Sequence, residues 1–92
     1  MGRKSLADHF FERYRGEDSG ELFWIVLYNF KNMKLSGRFY DNLTKAIALT
    51  KEEVILQHSR VITQDQRTAK TVRDLVLHYG GKVTMFRGEQ FD

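Results

Sequence analysis

Residues 21–40 read ELFWIVLYNFKNMKLSGRFY, the most apolar and aromatic run of a 92-residue chain. Leu22 to Tyr28 carries Phe, Trp, Ile, Val, Leu and Tyr in succession. β-branched and aromatic residues suit a pleated, half-buried surface, so this run reads as a strand. Alternation puts Phe23, Ile25 and Leu27 on one face and Trp24, Val26, Tyr28 and Phe30 on the other. Both faces are apolar. Such a strand is covered on both sides, or covered on one and left as an interface on the other. The run is far too short for a bilayer, which takes roughly 20 apolar residues.

The second half of the stretch is expected to return as the partner strand of a central hairpin. Lys31-Asn32 is the natural turn, because Asn tolerates a left-handed backbone. The return strand then carries Met33, Leu35, Gly37 and Phe39 on one face. Lys34, Ser36, Arg38 and Tyr40 line the other, a cationic surface with one aromatic.

Upstream, residues 5–15 form a helix. Ser5 caps it with Asp8 three residues on, and Leu6, Phe10, Phe11 and Tyr14 fall on one face. Gly16 is suited to the position after its last turn. Downstream, Asp41 or Asn42 caps a short helix from Leu43, with Leu43, Ala46 and Ile47 inward. Residues 53–62 are expected to be one strand, on the β-branched pairs Val54-Ile55 and Val61-Ile62. A continuous helix from Leu43 to Ser59 is the rival, since Thr50 and Glu53 also fit a capping box. The last helix has Thr63 and Gln66 as its capping box and an apolar stripe of Ala69, Val72, Leu75, Val76 and Tyr79. Gly80-Gly81 ends it, one glycine being left-handed. Lys82 to Arg87 is a strand with Val83 and Met85 on one face and Thr84 and Phe86 on the other.

The expected fold is α+β, a small two-layer domain in the order α-β-β-α-(β)-α-β. It has a mixed sheet around the central hairpin and parallel pairing between the 53–62 and 82–87 strands. One domain spans residues 1–92, with 1–4 and 88–92 as flexible ends.

Composition narrows the chemistry. There is no cysteine, which removes disulfides, thiolate nucleophiles and thiolate metal sites, and fits a reducing, cytoplasmic setting. Histidines 9, 58 and 78 show no HxH or HxxxH spacing. No GxSxG motif is present. Gly80-Gly81-Lys82 follows a helix, the wrong order for cradling a phosphate at a helix N-terminus. The carboxylate pairs Glu17/Asp18 and Glu52/Glu53 sit where a loop or an element start explains them. The expectation is therefore a non-enzyme without cofactor or metal. The run His-Tyr-Gly-Gly-Lys-Val-Thr (78–84), entering from a helix, resembles the helix-to-strand junction of BRCT phosphopeptide-binding domains. The resemblance is confined to that junction and carries no function with it.

The formal charge is +3. From Gln57 to Arg87 there are six basic residues against Asp65 and Asp74, so the excess lies in the C-terminal third. Two functions compete. The first is a protein-interaction module such as an inhibitor, adaptor or assembly factor. It would associate with a protein partner, in the simplest version with itself as a homo-oligomer, through Phe10, Phe11, Tyr14, Trp24 and Tyr28. The alternative is a nucleic-acid-binding regulator using Lys34, Arg38, Tyr40, Arg67, Lys70, Arg73 and Lys82, with cations on phosphate and aromatics under bases. Neither involves a membrane.

Overall fold

The computed structural model describes residues 4–16, 22–30, 37–50 and 53–89. The order is α1 (Leu6–Arg13), β1 (Phe23–Asn29), α2 (Gly37–Ala48), β2 (Val54–Gln57), β3 (Arg60–Thr63), α3 (Gln66–His78) and β4 (Lys82–Gly88). It is an α+β domain. The four strands form one sheet in the order β2-β3-β1-β4, and each neighbouring pair is antiparallel.

The expected hairpin at residues 21–40 does not form. Gly37, Arg38, Phe39 and Tyr40 are the first turn of α2. Phe39 is one turn ahead of Leu43, and with Ala46 they make one buried helical face. The reach of that apolar face fixes the helix start, which the expectation placed six residues too late. The turn at Lys31-Asn32 and residues 33–36 lie outside the described residues.

The mixed sheet is also corrected. Residues 53–62 are two strands, β2 and β3, joined at His58-Ser59, with Gln57 and Arg60 paired across the turn. His58 takes a positive φ of 51° to make that turn. β1 separates β3 from β4, so the expected parallel pairing cannot occur. The observed order is α-β-α-β-β-α-β, and the rival helix running to Ser59 is excluded, because α2 ends at Ala48.

Helix ends follow local chemistry. Ser5 Oγ accepts from the Asp8 amide (3.1 Å), and the Asp8 carboxylate accepts from the Ser5 amide (2.9 Å), closing the expected capping box. For α3 the cap is Asp65, which accepts from the amides of Arg67 and Thr68. Thr63 lies two residues upstream, where its hydroxyl accepts from the Asp65 amide (3.1 Å). At the other end Gly80 N–H donates to Leu77 and Gly81 N–H to Val76, the Schellman pattern, with Gly80 left-handed at φ 85°.

The core joins Val26, Tyr28, Val61 and Thr63 of the sheet to Ala7, Phe39, Leu43, Ala46, Ala69, Val72, Leu75 and Val76 of the helices. Trp24, Val54, Val83 and Met85 pack against it. All these sheet residues project from one face. The helices therefore cover the Trp24 face of β1, and α3 lies over β1, β3 and β4.

Candidate protein-interaction face

The opposite face of the sheet carries the other alternation. Ile25 pairs with Ile62 of β3 and with Phe86 of β4, and Ile62 pairs with Ile55 of β2. These four side chains make one unbroken apolar row across every strand. Phe23 and Leu27 flank it on β1. Leu27 is 38% exposed, Ile55 39% and Phe86 54%. Phe23, Ile25, Ile55, Ile62, Gly88 and Glu89 line a shallow depression in this face. A strand residue at the middle of a sheet is normally buried on its apolar side. Here an internal strand shows three apolar side chains to a surface that none of the described elements covers.

The ends of this face differ in charge. Glu53 precedes β2 and Glu89 follows β4, both exposed at the Phe23 end. Arg60 and Lys82 are exposed at the Leu27 end, on the same side as Ile62 and Phe86. Arg60 Nη2 donates to Gln57 Oε1 across the turn (2.8 Å). Arg87 belongs to the helix side, 5.6 Å over the Trp24 ring.

The expected interface residues lie elsewhere. Tyr28 is in the core, 6% exposed, and its hydroxyl donates to the His58 carbonyl (3.3 Å). Burial raises its pKa. Trp24 packs on the same core. Phe10, Phe11 and Tyr14 lie along the α1–α3 seam, the last two against cations of α3. Phe10 packs on the core and meets His78 edge-on, with Arg13 4.8 Å over its ring. Phe11 lies under Arg67 (5.0 Å) and Tyr14 under Lys70 (5.4 Å).

Tyr14 is also the hub of a charged network. Its hydroxyl donates to Asp74 Oδ2 in a short hydrogen bond and accepts from Arg73 Nη2 (2.7 Å). Arg73 Nε donates to Asp74 Oδ1 (3.0 Å), and Arg13 reaches Asp74 at 3.3 Å. Burial, with the hydrogen bond to Asp74, raises the Tyr14 pKa. Burial alone would lower the Arg73 pKa, but its hydrogen bond and charge pairing with Asp74 outweigh that and raise it.

Among the expected nucleic-acid residues, Arg67 is also paired inside the domain, through Nη2 with the fully buried carboxylate of Asp65 (3.2 Å). Arg38 and Tyr40 belong to α2, and Tyr40 is half exposed with its ring edge-on to Phe39. Lys82 opens β4, apart from the α1–α3 seam. Lys34 lies outside the described residues. Among the described residues, the basic ones are thus divided among α2, α3 and β4.

The uncovered face was readable from alternation, which puts Phe23, Ile25 and Leu27 together. Choosing the Trp24 side as the interface followed aromatic weight, and the helices use that weight as core. Ile55 and Ile62 joined the face only once residues 53–62 proved to be a hairpin.

Among the described residues no three His, Asp or Glu side chains converge as a metal site, and no helix is long and apolar enough to cross a membrane. The chain matches no protein-family model, no curated protein and no solved structure.

Proposed function

We propose that this chain is a small non-enzymatic protein-interaction domain, three helices layered over one sheet, whose binding surface is the uncovered sheet face. The observation that supports it is the apolar row Ile55–Ile62–Ile25–Phe86, spanning all four strands. Contiguous apolar surface rimmed by charge is what protein interfaces use, and each Å² covered contributes about 25 cal/mol.

The test is site-specific photo-cross-linking in cells. A photoreactive phenylalanine analogue replaces Phe86 in one variant and Leu77 in another. Both positions are 54% exposed, and Leu77 lies on α3, away from the sheet face. Discrete adducts from position 86 and none from position 77 are expected. No adduct at 86, or the same adducts at both, refutes the reading.

The nucleic-acid alternative has a narrower basis. Arg67 and Arg73 already pair with Asp65 and Asp74. Recruiting them to phosphate would leave those carboxylates short of partners. Binding of a mixed DNA and RNA pool that weakens steeply with salt would favour this alternative.

A further inference from the structure

We infer that the occupant of this face is a second copy of the same chain, packed sheet to sheet with its strands running the opposite way. The inference rests on the protein-interaction reading above and names its partner. Its basis is the charge pattern along the strands. Glu53 and Glu89 mark one end of the face, Arg60 and Lys82 the other, and the apolar row lies between them. A two-fold axis lying in the interface, across the strands at the Ile25 row, reverses strand direction. It sets the acidic end of each copy over the basic end of the other and stacks the apolar row on itself. The surface is then complementary to itself, as an isologous dimer requires. An axis along the strands would place acid over acid and base over base.

Sheet faces pack about 10 Å apart with interdigitating side chains, and a row of Ile across the strands suits that packing. The size fits a modest dimer. At about 4.8 Å strand spacing and about 3.3 Å rise, the seven residues each of β1 and β4 and the four each of β2 and β3 give a projected patch of roughly 350 Å². Side-chain relief raises its accessible area above that projection. It remains at the low end of specific interfaces, roughly 500 Å² per partner, the size of weak, reversible associations.

Sedimentation equilibrium of the full chain tests the inference, with five proteins compared: wild type, Phe86→Lys, Arg60→Glu, Glu53→Arg and the double exchange Arg60→Glu/Glu53→Arg. All the altered side chains are exposed, and circular dichroism with denaturation midpoints checks each monomer's fold. The wild type is expected to dimerise reversibly. Phe86→Lys sets two cations against each other near the axis and yields a monomer. Each single charge reversal acts twice in a symmetric dimer and weakens it about tenfold, given up to ~1 kcal/mol per exposed pair. The double exchange restores affinity to within about threefold, because the pairs re-form with opposite sign.

A wild-type chain still monomeric at about 1 mM overturns self-association, since even a weak specific dimer is populated at that concentration. If discrete adducts to other proteins then persist at position 86, the interaction reading stands without it. A dimer insensitive to Phe86→Lys overturns the use of this face. Tightening by Arg60→Glu overturns the reversed strand direction.

Discussion

Arg73→Ala decides whether the cations of α3 are a solvated stripe or part of the fold. Arg73 donates to the Tyr14 hydroxyl at 2.7 Å and to Asp74 Oδ1 at 3.0 Å, joining α3 to α1. Its side chain is 33% exposed, and that of Asp74 only 12%. Hydrogen bonds to charged groups contribute about 1.5–3 kcal/mol when buried, and fully exposed pairs about 0.2–1. Arg73 lies between these limits, and its loss leaves Asp74 with Tyr14 and the more exposed Arg13. The expected cost is therefore about 1–2 kcal/mol, or roughly 5–12 °C in melting temperature for a domain of this size. Arg73→Lys keeps the charge but cannot supply two donors in a fixed fork, so it should recover less than half of the loss. Urea unfolding of the three proteins measures this. An Arg73→Ala variant within about 0.5 kcal/mol of wild type, the range of ordinary surface substitutions, refutes the assignment and returns Arg73 to the pool of available cations.

Gly81→Ala is expected to cost about 1–3 kcal/mol by overpacking, because the added methyl meets Phe30 Cε1 and Val76 Cγ1 at 2.8 Å, whereas Gly37→Ala, open on all sides, should not destabilise. Equal denaturation midpoints for the two would contradict that difference. His58→Gly should stabilise by up to about 1 kcal/mol by relieving the positive φ at the β2–β3 turn, seen as a higher melting temperature. The Asp8 pKa is depressed below 3.8 by its hydrogen bonds from the Ser5 amide and hydroxyl. A depressed carboxyl stabilises fully above its unfolded value and loses that contribution as pH falls through the lower folded value. Stability should therefore fall with acid below about pH 4, and Asp8→Asn should flatten the slope; an unchanged slope would remove Asp8 from the account.

Where one local rule acts alone, the sequence was a sufficient guide. The α1 capping box, the glycine end of α3, and the alternation of β1 and β4 all appear as expected, whereas α1 ends at Arg13 with Tyr14 as its cap, two residues short of the expected end. Where two rules competed, it was not. Phe39-Tyr40 is aromatic enough for a strand, yet Phe39 also starts the i, i+4, i+7 series completed by Leu43 and Ala46. Its burial beside Tyr28, Phe30 and Tyr79 favours the helix. The β2–β3 turn was hidden because His58-Ser59 lacks the glycine or asparagine that marks a two-residue hairpin. The missed hairpin then hid the sheet order, and with it half of the uncovered face. The α1–α3 network was invisible for another reason. Tyr14 and Asp74 lie 60 residues apart, and no local pattern announces their hydrogen bond.

The two sheet faces divide the chain's apolar residues by shape. The helix side holds Trp24 and Tyr28, with Phe30 beside them; Tyr28 and Phe30 meet Phe39, which in turn meets Tyr79, and Trp24 rests under Arg87. Rings of that depth fill the uneven gap between helices and a sheet. The other side holds Ile25, Ile55 and Ile62, short and stiff at χ1, with Leu27 and the rings of Phe23 and Phe86. Such a surface suits the interdigitated packing of a second sheet. Charge divides the same way. Arg13, Arg67 and Arg73 are engaged by aromatic rings and carboxylates of the helix side, whereas Arg60 and Lys82 stand at one end of the uncovered face with Glu53 and Glu89 at the other. Polar ends bordering an apolar middle give a second sheet a direction as well as a surface. For that reason strand direction in the dimer, read out by the paired exchange of Arg60 and Glu53, bears on the proposal more directly than dimerisation alone.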